Sequence, residues 1–260
     1  MTIPMTYMIE LMQVYLWPLI RISAFVVAIP AIGGAFVPVR IRALVAISMT
    51  LAMAPLVPAA SSDLLIMSIA GAVAVLQEVA LGLMMGFIVQ LVFDAITLGA
   101  QTVSMSMGLG FAVFIDRVSG VNVPVIGQLY LMLALLIFLA VDGHLALIRL
   151  LFDSFSAAPP GTGFVSSLDA GAVLTWSSQL FVGAIRIALA AVTTLLIVNL
   201  SFGVMSRAAP SMNLFAVGFP ISMLLGFLVL YVGVGVVDQT FDSLFPNALQ
   251  VIRDLTQEAP

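Results

Sequence analysis

Six apolar stretches run through this chain, and short connectors rich in glycine, proline and charged residues separate them. Because their apolar residues do not alternate strictly with polar ones, the stretches predict helices and not a transmembrane barrel. A helix needs ~20 mostly apolar residues to cross a bilayer. The expected fold is therefore an all-α integral membrane protein, with one membrane domain over residues 1–260. The stretches are Leu11–Val37, Ile41–Pro58, Leu64–Val103, Val125–Val141, Val173–Met205 and Leu214–Val237.

Two of these stretches exceed the length that one crossing requires. At ~1.5 Å per residue, Leu64–Val103 and Val173–Met205 would each form a helix of ~50 Å or more. The hydrocarbon core of a bilayer is only ~30 Å thick. We therefore expect these helices either to be broken or to be surrounded partly by other protein subunits.

Composition narrows the function further. The chain is 63% hydrophobic and only 8% charged, which excludes a water-soluble domain. All eight basic residues are arginines, they form no run, and the net charge is −4, so nucleic acid is not an expected partner. Cysteine is absent and His144 is the only histidine. We expect no metal site and no cofactor.

A catalytic role has little support in the sequence. His144 follows Asp142 by two residues, a spacing that could serve a general base. Neither a nucleophile motif nor a zinc or phosphate-binding motif accompanies the pair. We interpret His144 as an ordinary interfacial residue and expect no enzymatic activity.

Four charged residues lie inside apolar stretches, where each costs roughly 2.5–3.5 kcal/mol at the membrane centre. One interpretation is that they form salt bridges or subunit contacts that fix how helices pack. The alternative is an ion or small-solute transporter that uses Glu78, Asp94 and Arg186. The first is favoured because two permanent cations would keep both acids ionised, and the preferred pairing is Glu78 with Arg186. The four residues are Arg21, Glu78, Asp94 and Arg186.

The connector after the third stretch is apolar, yet its glycines rule out a regular helix. We call Met105–Asn122 the stopper loop. Such a loop must be buried in protein or fill a cavity. The residues alone leave two interpretations open: ordinary core packing, or a movable stopper in which Met and Phe form a deformable seal. Its candidate residues are Met105, Met107, Gly108, Leu109, Gly110, Phe111, Phe114 and Ile115.

The arginines predict an orientation. Basic connectors follow the odd-numbered stretches, and the positive-inside rule assigns such connectors to the cytoplasm. The connector with Arg207, Pro210 and Asn213 is therefore expected to be cytoplasmic.

Several segments resemble the FliR family of flagellar and type III secretion export-gate proteins. The most specific is Ser206–Ile221, which reads SRAAPSMNLFAVGFPI. The segments QEVALGLMMGFIVQLVFDAITLGAQ, GLGFAVFIDRVSGVNVPV and PVRIRALVAISMTLAM are also similar to that family. The resemblance covers nearly the whole chain.

This resemblance implies a structural and gating subunit of the flagellar protein-export channel. It implies a FliP-like part over about 1–165, a FliQ-like helical hairpin over about 170–240 and a C-terminal tail over 241–260. The implied partners are FliP-type and FliQ-type gate subunits, FlhB-type and FlhA-type export proteins, and unfolded export substrates. The implied location is the bacterial inner membrane at the flagellar basal body. The resemblance also favours the stopper interpretation of the loop.

Overall fold

The computed structural model describes residues 5–34, 37–58, 68–109, 125–160, 170–208 and 214–257. All regular structure within these ranges is helical, which confirms the all-α prediction. The α-helices are α1 (Met5–Ala28), α2 (Pro30–Gly33), α3 (Val39–Met53), α4 (Ile69–Ser106), α5 (Val125–Ala140), α6 (Gly143–Ala157), α7 (Ala170–Ser177), α8 (Gln179–Ala208), α9 (Leu214–Val232) and α10 (Val234–Gln257). A 3₁₀ turn, Ala54–Leu56, follows α3.

Within these ranges, three helical segments are long and apolar enough to cross a membrane. They are Val39–Leu56 (α3 with the 3₁₀ turn), Ile69–Ser106 (α4) and Gly171–Ala208 (α7 and α8 together). Two broken pairs, α5 with α6 and α9 with α10, raise the number to five if each pair is one crossing. From Ile69 onward the third apolar stretch belongs to one continuous helix, α4, of 38 residues. Its length is therefore ~57 Å, nearly twice the hydrocarbon thickness of a bilayer.

The breaks within the broken pairs have local causes. Asp142 adopts the left-handed conformation at φ 55°, so the chain cannot continue α5 directly into α6. Gly233 separates α9 from α10. The sixth apolar stretch therefore extends past a helix break. Residues 241–257 of the expected tail are helical and belong to α10.

The chain divides into two compact units. The first unit contains Met1–Leu91, Asp142–Trp176 and Pro246–Pro260. In it, α1 packs against α3. The glycines of the GLMMG motif lie against α1: a Cβ on Gly82 would meet the backbone of Arg21, and one on Gly86 would meet Ala28. These two glycines therefore let α1 and α4 pack closely. The largest buried side chains of this unit include Trp17, Ile22, Phe25, Met85 and Phe155.

The second unit contains Val92–Val141 and Ser177–Phe245. Four buried phenylalanines form its core. The ring of Phe93 lies edge-on to Phe138 at 5.7 Å and to Phe241 at 5.8 Å, and Phe241 stacks on Phe245 at 5.2 Å. Helices α8 and α9 pack against each other, and the Ser222 hydroxyl donates to Asn199 Oδ1 at 3.2 Å.

Candidate functional site: a buried ion pair and the base of the stopper loop

Two of the predicted membrane charges form a buried ion pair in the first unit. The guanidinium of Arg21 donates from Nε to Glu78 Oε2 at 2.7 Å and from Nη2 to Oε1 at 2.9 Å. The two side chains are 0% and 2% exposed. This two-pronged geometry matches the planar fork of arginine to the carboxylate and gives the strongest kind of hydrogen bond between side chains.

The same guanidinium also binds the C-terminal end of α6. Its Nη1 donates to the Ser154 carbonyl at 2.9 Å and to the Ser154 hydroxyl at 3.2 Å, and Nη2 donates to the Ala158 carbonyl at 2.7 Å. A cation near the last carbonyls of a helix is favourable because it interacts with the helix dipole. The Ser154 carbonyl also accepts a hydrogen bond from the Ala158 N–H at 2.9 Å, so it accepts two. The Phe155 ring lies 4.2 Å from the guanidinium carbon.

Arg21 therefore joins three helices, α1, α4 and α6, through one side chain. A guanidinium has five N–H groups, and the five hydrogen bonds described above match that number. A permanent cation with its donors occupied this way is suited to holding helices together. It is poorly suited to relaying protons, because arginine does not deprotonate in proteins.

The predicted pairing of Glu78 with Arg186 is wrong. Arg186 is exposed on α8 in the second unit and donates to the Ser243 hydroxyl at 3.3 Å. Glu78 pairs with Arg21 because Gly82, one turn along α4, allows the backbone of α1 to come close. Asp94, the fourth predicted charge, is half-buried on α4.

Only the start of the stopper loop lies in the part of the chain that the structure describes. Met105, Met107, Gly108 and Leu109 are described, whereas Gly110, Phe111, Phe114 and Ile115 lie outside the described residues. The two methionines differ sharply: Met105 is 72% exposed and Met107 is 1% exposed. In this structure Met105 is therefore available to contact other molecules, and Met107 packs inside the chain.

Of the three residues named for the predicted cytoplasmic connector, only Arg207 lies within the described ranges. Arg207 is exposed in the last turn of α8, where a cation interacts favourably with the helix dipole. Pro210 and Asn213 lie outside the described residues.

Sequence reasoning missed the Arg21 partners on α6, and it missed Gly226, which lies against Met107. The sequence cannot indicate that the carbonyls of Ser154 and Ala158 bind Arg21, because every residue has a backbone carbonyl. Gly226 left a weak signal, as a glycine inside the apolar run LLGFL.

The fold defines the class: an all-α chain whose long apolar helices can cross a membrane. A family model described as bacterial export proteins, family 1, matches residues 12–248. The chain therefore belongs to this family of bacterial export proteins.

Curated relatives match nearly the whole chain. Flagellar biosynthetic protein FliR of Escherichia coli (strain K12) is 32% identical, over 96% of this chain and 95% of that protein. The protein of the same name from Pectobacterium carotovorum subsp. carotovorum is 31% identical, over 95% and 94%. That from Bacillus subtilis (strain 168) is 28% identical, over 96% and 97%. The resemblance to the FliR family is confirmed.

Proposed function

We propose that this chain is a structural and gating subunit of the flagellar type III protein-export channel in the bacterial inner membrane, at the base of the flagellum. It would assemble with FliP-type and FliQ-type subunits, work with FlhB-type and FlhA-type export proteins, and pass unfolded flagellar proteins. The proposal includes no catalytic role, no cofactor and no nucleic-acid partner.

The observation that supports the proposal is that α4, a helix much longer than the hydrocarbon core, exposes apolar side chains at both of its ends. Ile69 and Met105, at its two ends, are both strongly exposed. They are 36 residues apart, which is ~54 Å along the helix axis. A bilayer supplies only ~30 Å of hydrocarbon. Acyl chains cannot cover both ends, and we propose that neighbouring subunits cover the end that lies outside the hydrocarbon.

The charges of α8 fit a placement in which only part of this helix lies in lipid. Residues 187–206 carry no charge and extend ~30 Å, the thickness of the hydrocarbon core. Arg186 and Arg207 flank this stretch and would lie at its two boundaries, where long cationic side chains reach the headgroups. At that boundary the charge of Arg186 would be solvated, so Arg186 would not require a carboxylate as a buried counter-ion. The exposed apolar residues before it, including Phe181 and Ile185, would contact other subunits.

The two-part division of the chain belongs to the same proposal. The FliQ-like part, about 170–240, includes α8 and α9, which pack against each other as a hairpin would. The FliP-like part, about 1–165, includes the three helices joined by Arg21. The hydrogen bond between Ser222 and Asn199 supports the hairpin.

A transporter using Glu78, Asp94 and Arg186 is not favoured. Both oxygens of Glu78 accept hydrogen bonds from Arg21. Such a carboxylate would have to break a buried ion pair before it could bind an ion or a solute. Membership of the export family points the same way.

Deleting Gly110–Phe114 tests the gating role. If the stopper loop closes the channel, membranes containing the assembled deletion variant should conduct small ions that wild-type membranes exclude. Native mass measurement of the detergent-extracted complex must first show the same subunit composition for both. Unchanged conductance in a normally assembled deletion variant would refute the gating role.

A further inference from the structure

The stopper loop leaves α4 through a defined helix ending. The Leu109 N–H donates to the Ser104 carbonyl at 3.2 Å, and the Gly108 N–H donates to the Met105 carbonyl at 3.1 Å. Gly108 has φ +81°, a left-handed conformation that glycine adopts without steric cost. Together these features form a Schellman motif, which sets the direction in which the chain leaves the helix.

A side-chain contact with α9 holds the same ending in place. Met107 is 1% exposed and packs on Gly226 of α9. A Cβ added to Gly226 would lie 2.6 Å from Met107 Cε and 2.7 Å from Sδ, distances that real Cβ atoms do not show. The glycine therefore leaves the space that the thioether fills, and no larger residue fits without displacing it.

A residue two turns earlier in α9 makes a second contact with the end of α4. Phe219 precedes Gly226 by seven residues, which is two helical turns, so both lie on one face of α9. The Phe219 ring lies beside Gly108, where an added Cβ would be 3.3 Å from Cε2. The first two residues beyond α4 thus rest on one face of α9.

We infer that Met107 and Gly226 form a latch that positions the stopper loop. The latch holds the base of the loop, Met107 and Gly108, on α9. Met107 is then a positioning residue and not part of the seal, whereas Met105, being exposed, is free to contact neighbours. This inference rests on the proposed gating function, because it assigns the latch to the closed state of the channel.

Exchanging the sizes of the two partners tests the latch in the assembled complex. Gly226→Val should displace Met107, and Met107→Ala should leave the space beside Gly226 empty. Each change should therefore increase ion conductance several-fold. The double variant M107A/G226V places a larger residue opposite a smaller one and should return conductance toward wild type. Gly218→Val on the same helix is the matched control, because its Cβ meets Phe202 only at an ordinary 3.7 Å.

A labelling measurement reports the position of residue 107 independently of conductance. The chain has no cysteine, so Met107→Cys is a unique label site. In an otherwise wild-type chain this thiol should react slowly with a maleimide. Addition of Gly226→Trp, a side chain too large to be accommodated even opposite cysteine, should speed the reaction at least about ten-fold, because thiol reactivity follows exposure.

The outcomes separate this inference from the gating proposal. If the Gly110–Phe114 deletion leaks and Gly226→Val does not, the latch is refuted and the gating role stands. Equal labelling rates with and without Gly226→Trp also refute the latch. Leakage in both single variants without recovery in the double variant refutes it as well, since a size-matched contact would then not suffice. A deletion variant that does not leak refutes the gating role, and labelling still tests the contact.

Discussion

The ion pair between Arg21 and Glu78 can be dissected by removing each partner alone and then both together. We consider Arg21→Met, Glu78→Leu and the double variant, which replace charged side chains with apolar ones of similar length. Each single variant leaves one charge buried without its counter-ion. Because the Arg21 and Glu78 side chains are 0% and 2% exposed, water cannot compensate, and each single change should cost ~3–5 kcal/mol.

The double variant should cost less than either single variant. With both charges gone, no uncompensated ion remains, and replacing a buried pair by apolar residues is often neutral. What remains lost are the three hydrogen bonds to the end of α6: those to the Ser154 and Ala158 carbonyls, at about 1 kcal/mol each, and the longer one to the Ser154 hydroxyl. The expected cost is therefore ~2–3 kcal/mol, and the coupling energy between the two positions is ~3 kcal/mol or more.

Equilibrium unfolding of the full chain in mixtures of mild detergent and SDS can measure these differences. Helical circular dichroism follows the unfolding of both units, and the fluorescence of Trp17 and Trp176, which belong to the unit that contains the ion pair, reports on that unit in addition. Arg186→Met is the matched control. Arg186 is exposed and bonds only weakly to Ser243, so this change should alter the unfolding free energy by less than about 1 kcal/mol.

Two results would refute this reasoning. A Glu78→Leu variant as stable as the control would mean that Arg21 finds another partner or reaches water. A double variant no more stable than the single variants would mean that the cost comes from packing or from the α6 carbonyls and not from an unpaired charge.

Two further changes probe the packing of each unit by the same unfolding measurement. Gly82→Ala should destabilise by ~1–3 kcal/mol, because its Cβ would press on the α1 backbone and lie 2.8 Å from Ala24 Cβ. Gly203→Ala, with nothing within 4 Å, should change stability by less than about 1 kcal/mol, and equal effects of the two would contradict close packing at Gly82. Phe93→Ala should cost ~3–5 kcal/mol by opening the phenylalanine core, and a loss below about 1 kcal/mol would show that this core collapses to fill the space.

Much of the candidate site could be found in the sequence, but its pairing could not. Arg21 and Glu78 stand out because charges inside apolar stretches are costly. They are 57 residues apart, and Arg21 lies 133 residues from Ser154. Which charges meet depends on which helix faces touch, and that depends on close contacts such as the one at Gly82. The pairing of Glu78 with Arg186 failed for this reason.

The stopper loop gives a second example of a difference that the sequence does not predict and the structure shows. Met105 and Met107 have the same chemistry and are two positions apart, so their pattern predicts equal roles. The structure separates them, because a helix ending turns one outward and lays the other on Gly226. A glycine in an apolar helix has many uses, and only its neighbour in space reveals which one applies.

By itself, the order of apolar and polar residues determined that this chain is helical, that it belongs in a membrane and that some helices are longer than a bilayer is thick. These properties follow from local composition and from the need of each backbone group for a partner in lipid. Its similarity to other export proteins determined the family. The tertiary structure decided which cation neutralises Glu78, which helix end Arg21 caps and which methionine packs against α9. Those choices depend on contacts between residues far apart in the chain, whose geometry exists only after the helices have packed.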